Sequence, residues 1–226
     1  MLWSLLLACA PDSEPNSARM RSAREPFALR LPIAERALIL DRVMGVDHDP
    51  AEYSGTESLF CTNYDGDGFP YCYDGHDGTD FDLVDGFETM DAGSATVVAA
   101  SAGIVEHVED THYDRCHLDA ETLGPDCDGH EMVANQIVLW HPEGYRTAYK
   151  HLMQNSALVA VGDEVPCGAP LARIGSSGYS TSPHLHLELS TADGDDIDPY
   201  AGPYSQSRSY WCEQLSADGL PGADCP

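Results

Sequence analysis

The sequence of 226 residues is poor in basic side chains, with 11 Lys and Arg against 38 Asp and Glu. Lys150 is the only lysine, and six of the arginines lie between residues 19 and 42. The formal net charge is −27 at pH 7. A surface this acidic repels nucleic acids and anionic membranes at long range, because their phosphates carry charge of the same sign. We therefore expect neither of them as a partner.

The sequence also lacks an apolar run long enough for a transmembrane helix, which needs about 20 residues. Residues 2–8 form only a short apolar run, LWSLLLA, which ends at Cys9. The residues LLAC resemble the lipobox of bacterial lipoproteins, in which the cysteine receives a lipid anchor after cleavage. No Lys or Arg precedes the run, so a plain secretory signal is the alternative. Both interpretations predict an exported protein, located in the cell envelope (periplasm or outer membrane) or outside the cell.

Eight cysteines in a chain of this size also favour an oxidising compartment. If Cys9 carries a lipid, seven cysteines remain, and this odd number leaves one of them free. Pairing between near neighbours leaves Cys167 as the free thiol. It predicts three disulfides, Cys61–Cys72, Cys116–Cys127 and Cys212–Cys225.

Short runs of β-branched or alternating apolar residues dominate the chain from about residue 94 onward. NQIVLWH, YRTAYKHL and HLHLELS are examples, and Gly, Pro, Asn or Asp separates such runs. This pattern predicts an all-β fold, a compact antiparallel β-sandwich or barrel-like domain. The length of the chain fits one such domain with appended segments.

Two short motifs contain residue types that bind zinc. GHDGTDFD places His76 and Asp80 four positions apart. In SPHLHLEL, His184 and His186 are two positions apart, so they share one face of a strand while the leucines beside them face the core. Imidazole and carboxylate groups are zinc ligands, and a catalytic zinc ion keeps one position open for water. Either motif alone is weak evidence, because hydrogen-bonded or exposed histidines are common.

Together and in this order, the two motifs resemble those of the lysostaphin/LytM-type zinc peptidases. That family has a His-x-x-x-Asp motif, a later His-x-His motif, and between them a histidine in a Tyr-x-His-Leu setting. Here YKHL, with His151, supplies the third element, and the resemblance extends from Gly75 to about Gly202. The sequence departs from the family pattern at Ser182, where Gly is usual, and by an insertion between residues 108 and 133.

The resemblance implies that His76, Asp80 and His186 bind Zn²⁺ and leave a fourth position for water. His151 and His184 would be catalytic groups outside the metal's ligand set. One would take the proton from the attacking water and the other would donate a hydrogen bond to the developing oxyanion. The sequence does not decide which histidine has which role.

The implied substrate is the peptide part of bacterial peptidoglycan, cut within its cross-bridges or stems by a monomeric zinc endopeptidase. One alternative is a non-catalytic LytM-type module that binds the wall or activates other wall hydrolases. Another is a zinc D-Ala-D-Ala carboxypeptidase, although the first motif of that class has a wider His-to-Asp spacing.

A second metal site is suggested by the Asp- and Gly-rich stretch before His76. The spacing of a calcium-binding loop recurs at Asn63, Asp65, Asp67 and Asp74. Asp74 stands where such loops usually have a bidentate Glu, so an acidic turn without a ligand is the alternative. We therefore treat Ca²⁺ as a possible second cofactor.

The domain organisation follows from these assignments. It comprises a signal or lipobox segment (1–9), a flexible tether (10–26), an N-terminal extension that packs on the catalytic domain (27–60), the zinc peptidase domain (61–205) and a C-terminal tail closed by a disulfide (206–226). Five further histidines have no partner motif, and we expect surface or packing roles for them: His48, His107, His112, His117 and His141.

Overall fold

The computed structural model describes residues 27–47, 71–202, 205–214 and 220–225. Within these ranges, helical structure is limited to a 3₁₀ turn (Arg36–Leu38) and one short helix, α1 (Phe87–Asp91). The strands are β1 (Met44–Gly45), β2 (Tyr71–Cys72), β3 (Thr79–Asp82), β4 (Thr96–Val98), β5 (Gly103–Glu109), β6 (His117–Leu118), β7 (Pro125–Asp126), β8 (Gln136–His141), β9 (Tyr145–Lys150), β10 (Glu164–Val165), β11 (Pro170–Arg173) and β12 (His184–Thr191). The predicted all-β class is confirmed.

Eight of the strands form one sheet in the order β10-β5-β8-β9-β12-β3-β1-β2. Neighbouring strands are antiparallel except β1 and β2. Two smaller sheets pair β11 with β4 and β6 with β7. The longest strand, β12, lies inside the large sheet between β9 and β3. The backbone of β12 is therefore paired along both of its edges, which fixes the positions of its side chains.

A single hydrophobic cluster lies under the large sheet and includes residues of the small β4–β11 sheet. Leu185 and Leu187 of β12 belong to this cluster and are almost completely buried, as is Phe81 of β3. Val97 and Leu171 enter it from β4 and β11. Because side chains alternate along a strand, the neighbouring histidines of β12 project from the opposite face of the sheet.

Every second residue of the N-terminal segment from Leu29 to Ile33 is apolar and fully buried, namely Leu29, Leu31 and Ile33. It makes isolated bridges to Trp211 and Val97 and does not form a regular strand. Such a segment buries apolar side chains against the domain without extending its sheet. Among the described residues, no helix has the length and apolar character needed to cross a bilayer.

The disulfides correct one part of the predicted pairing. The Cys116–Cys127 bridge is confirmed. The predicted Cys212–Cys225 bridge is wrong, because Cys225 is bonded to Cys167 and Cys212 is a free, exposed thiol. Cys72 is disulfide-bonded as well, and its predicted partner, Cys61, lies outside the described residues.

The path of the N-terminal segment explains this long-range bridge. Arg30 N donates to the carbonyl oxygen of Ala100, and that oxygen lies 3.6 Å from the Sγ atom of Cys167. Leu31 N donates to the carbonyl oxygen of Gly222, three residues before Cys225. The N-terminal segment thus lies between two parts of the chain that are far apart in sequence, and it brings their cysteines together.

Candidate metal centre and catalytic histidines

The pairing of β3 with β12 determines where the motif residues lie. In this antiparallel register, His186 is directly opposite Asp80, and His184 is opposite Asp82. His76 lies in the turn that leads into β3 and is buried. The turn passes close to β12 at Gly78, where a Cβ atom would lie 2.5 Å from Nε2 of His186. Only glycine fits this approach without displacing the histidine.

The three predicted zinc ligands converge on one point. Nδ1 of His186 lies 2.7 Å from Oδ1 of Asp80, and Nε2 of His76 lies 3.2 Å from Oδ2 of Asp80. The two imidazole nitrogens are 3.3 Å apart. Ligand atoms arranged tetrahedrally around a zinc ion, each about 2.1 Å from it, would be about 3.4 Å from one another. The donor types and their spacing therefore fit one zinc ion.

The ring of His76 is oriented by the backbone of β1. Its Nδ1 atom lies 2.6 Å from the carbonyl oxygen of Gly45, so this nitrogen carries the proton and donates it. The lone pair of Nε2 consequently points at Asp80 and His186. Met44, next to Gly45, pairs with Asp80 across β1 and β3, so one stretch of backbone positions both ligands.

His186 presents Nδ1 to the ligand cluster and Nε2 to two further carboxylates. Nε2 lies 3.2 Å from Oδ1 of Asp77 and 3.3 Å from Oε1 of Glu188. Glu188 also forms an ion pair with Lys150 on β9. Burial opposes a charge on His186, but the hydrogen bonds with Asp77, Asp80 and Glu188 raise its pKa to about 11. The surroundings of this ring therefore carry a strong negative charge.

The Asp80 carboxyl is ionised at neutral pH. Burial raises its pKa, but the charge of His184 and the hydrogen bonds from His186 and His76 lower it well below its usual range. A carboxylate is the form that binds a cation.

The other two histidines lie beside this cluster with their rings fixed in the same way. Nδ1 of His151 donates to the carbonyl oxygen of Ser177 at 2.6 Å, and Nδ1 of His184 donates to that of Ser182 at 2.7 Å. The ring centres of His151 and His184 are 4.6 Å apart, and those of His151 and His186 are 5.5 Å apart. Each ring is therefore held through Nδ1, and Nε2 of neither ring makes a hydrogen bond within the described part of the chain.

His151 is neutral at physiological pH. Burial lowers its pKa to about 3, and the nearby charges of His184 and His186 add to the effect. His151 also has a left-handed backbone conformation, with φ of 60°. This conformation is uncommon for residues other than glycine, and it persists where the surrounding structure fixes the backbone.

The family model described as Peptidase family M23 matches residues 74–199, more than half of the chain, and these residues contain the three residues of the ligand cluster and the two histidines beside it. The chain belongs to peptidase family M23. This membership confirms the resemblance seen in the three sequence motifs.

Individual relatives of the M23 domain match over shorter stretches. The glycyl-glycine endopeptidase ALE-1 of Staphylococcus capitis is 35% identical over 92 residues, which are 39% of this chain and 24% of that protein. The peptidoglycan DD-endopeptidase ShyA of Vibrio cholerae is 38% identical over 60 residues, which are 26% of this chain and 14% of that protein. This chain thus spans a quarter or less of the length of these relatives.

A solved structure with a related sequence is the catalytic domain of the antimicrobial peptidase lysostaphin from Staphylococcus simulans. It is 30% identical, covers 55% of this chain and 75% of its own, and has a TM-score of 0.37.

The calcium prediction falls mainly outside the described part of the M23 chain. Asn63, Asp65 and Asp67 lie there, whereas Asp74 is described and is half-buried two residues before His76. The calcium loop therefore stays a prediction.

Two carboxylates beside the metal-ligand cluster of the M23 domain were missed in the sequence, Asp77 and Glu188. Asp77 follows His76 directly, and Glu188 is two positions after His186, on the same face of β12. The signal for Glu188 was the continued alternation His-x-His-x-Glu. Tyr73 was missed as well, and its ring stacks on that of His76 with centres 4.4 Å apart.

An acidic cleft of about 590 Å³ opens beside the cluster. His76 and Asp77 line this cleft, and Asp47, Asp196 and Asp198 contribute further carboxylates to its lining. A substrate that reaches the M23 site from this side therefore passes an anionic surface.

The insertion noted in the sequence forms a hairpin, β6–β7, that is attached next to the residue that holds His151. Cys116 N donates to the carbonyl oxygen of Ser176, and the hydroxyl of Ser176 donates back to the carbonyl oxygen of Cys116. Ser177, the next residue, holds the ring of His151. This M23 domain therefore has its extra hairpin beside the site.

Proposed function

We propose that the protein is a zinc endopeptidase that hydrolyses peptide bonds in the cross-bridges or stems of bacterial peptidoglycan. The observation that carries this proposal is the convergence of His76, Asp80 and His186 beside two further histidines with free Nε2 atoms. The complete set supports an enzyme over a non-catalytic wall-binding or activating module.

The ligand set suits catalysis as well as binding. Zinc binding would displace the Nδ1 proton of His186, and the resulting two neutral imidazoles and one carboxylate would leave the centre with a charge of about +1. When bound, zinc acts as a Lewis acid that polarises the scissile carbonyl and lowers the pKa of the attacking water to about 7. Three protein ligands leave room for water and substrate.

We assign proton transfer to His151 and oxyanion stabilisation to His184. His151 is neutral and its Nδ1 proton is held by Ser177, so Nε2 has a lone pair that can accept the proton of water. Nε2 of His184 lies 3.6 Å from Oδ1 of Asp80, at the edge of the ligand cluster. With a proton on each ring nitrogen, His184 can donate from Nε2 to negative charge that develops on the substrate carbonyl while Nδ1 donates to Ser182.

The relatives support the substrate class without fixing the bond. One is named a glycyl-glycine endopeptidase and another a peptidoglycan DD-endopeptidase. A peptidoglycan substrate places the enzyme in the cell envelope or outside the cell, in agreement with the disulfides. Lipidation of Cys9, which lies outside the described residues, remains a prediction.

The proposal is tested by digesting purified sacculi with the parent enzyme and with His151→Ala. Mass spectrometry then identifies the released fragments. We expect the parent to release fragments whose cross-bridges or stems are cut at one type of bond, and the variant to release almost none. Release of terminal D-Ala alone would indicate a carboxypeptidase. Intact sacculi after treatment with zinc-loaded parent enzyme would contradict the proposed activity.

A further inference from the structure

The inserted hairpin contains a second group of metal-binding side chains, away from the M23 site. His117 on β6 and Asp126 on β7 are direct cross-strand partners. The Cys116–Cys127 disulfide joins the residues next to them and closes the hairpin. Asp128 follows immediately. The backbone that carries these three side chains is thus fixed by a covalent bond as well as by strand pairing.

Each of the three residues offers a ligand atom, and these atoms all lie within 4.8 Å of one another. The cluster comprises one imidazole and two carboxylates. Among the described residues, no Lys or Arg forms an ion pair with Asp126 or Asp128. Two carboxylates held close together repel each other, and a bound cation would relieve that repulsion.

Groups around the cluster orient its members, as is usual for metal ligands. The hydroxyl of Tyr113 donates to Oδ2 of Asp128 at 2.5 Å. The backbone N of Asp128 donates to Oδ1 of Asp126 at 2.9 Å. Nδ1 of His117 lies 3.4 Å from the carbonyl oxygen of Arg115, which favours a proton on that nitrogen. Nε2 of His117 and one oxygen of each carboxylate remain available.

We propose that the inserted hairpin binds a second zinc ion through His117, Asp126 and Asp128. Imidazole is a ligand for zinc and other transition metals, whereas Ca²⁺ and Mg²⁺ prefer sites built from oxygen atoms. The hairpin is attached at Ser176, so an ion here would stiffen the segment that adjoins the catalytic histidines. The site is independent of the proposed peptidase activity.

The proposal is tested by the zinc content after equilibrium dialysis against buffered free Zn²⁺. Excess Mg²⁺ in the buffer suppresses binding to isolated carboxylates. We expect two zinc ions per parent chain and one in His117→Ala or in Asp126→Asn/Asp128→Asn. His76→Ala should also hold one ion, and His76→Ala/His117→Ala none. The control His107→Ala, which removes an exposed histidine of β5, should hold two.

Two outcomes would overturn the hairpin site. One is an unchanged zinc content in both hairpin variants, and the other is Ca²⁺ displacing the second ion at equal concentration. Asp128→Asn changes an exposed side chain and provides a variant that keeps the fold, checked by circular dichroism and by an intact Cys116–Cys127 bridge. Because zinc in His76→Ala is counted without reference to activity, failure of the hairpin site is distinguishable from failure of the peptidase proposal.

Discussion

His186 and Asp80 face each other across β12 and β3, with 2.7 Å between Nδ1 of the imidazole and Oδ1 of the carboxylate. This pairing joins the first and last sequence motifs of the site across an antiparallel register. A one-residue slip would turn either side chain to the opposite face of the sheet. The strand pairing is therefore a condition for the metal centre.

The zinc content of single variants should distinguish the proposed metal ligands from the proposed catalytic histidines. His76→Ala, Asp80→Ala and His186→Ala should lose both the zinc of this centre and activity, because each removes one of three ligands. His151→Ala and His184→Ala should keep that zinc and lose about 10²–10⁴ in rate, the usual contribution of a proton-transfer group. Metal analysis and sacculus digestion of the five variants decide this, and full zinc content in His186→Ala would refute the ligand assignment.

Glu188 should tune zinc affinity through His186. Its carboxylate accepts from Nε2 of His186, and loss of such an outer partner typically weakens metal binding about 10–100-fold. We expect Glu188→Gln to raise the zinc dissociation constant by this factor in competition with a chelator. Glu106→Gln is a matched control, since Glu106 pairs with Arg146 on the same sheet. Equal constants for the parent and Glu188→Gln would exclude this role.

The long-range disulfide should stabilise the fold. Loss of a native bridge typically costs about 2–4 kcal/mol, and Cys167–Cys225 spans 58 residues. In a Cys212→Ser background, which prevents exchange with the free thiol, Cys225→Ser should lower the free energy of unfolding by about this amount. Cys212→Ser alone should change it little. Urea denaturation measures both, and peptide mapping that found Cys212 bridged would contradict the pairing.

His141 should make stability depend on pH. Burial lowers its pKa below the ordinary value, so the unfolded chain takes up a proton there more readily than the native protein. The free energy of unfolding should therefore fall as the pH drops below about 6.5, by at most about 1.4 kcal/mol per pH unit from this residue.

Comparison of the parent with His141→Gln between pH 7 and 5 isolates this contribution, because acid-driven zinc loss affects both proteins. The variant should show a shallower pH dependence. His107→Gln, which changes a histidine with a half-exposed side chain, should behave like the parent. Parallel curves for the parent and His141→Gln would show that His141 does not cause the effect.

The residues of the M23 site were predictable because each is part of a short motif with regular spacing. The alternation of His184 and His186 with leucines specified both the strand and its buried face. Asp77 and Glu188 were not predicted, since their contacts depend on which nitrogen of His186 faces Asp80 and His76. That choice appears only once β3 is placed beside β12.

The cysteine pairing and the hairpin cluster depended on contacts that no local pattern encodes. Cys225 reaches Cys167 because the N-terminal segment lies between them, so preference for short loops chose the wrong partner. His117 was assigned a surface or packing role because the other two residues of its cluster, Asp126 and Asp128, are not close to it in the sequence. The hairpin register brings them together.

The loop from Ser176 to Ser182 supplies the acceptors that hold both catalytic rings, at Ser177 for His151 and at Ser182 for His184. One stretch of backbone therefore orients both His151, the proposed proton acceptor, and His184, the proposed oxyanion donor. Because the inserted hairpin is anchored on the same loop at Ser176, a change in the hairpin that moves this loop would shift both rings together.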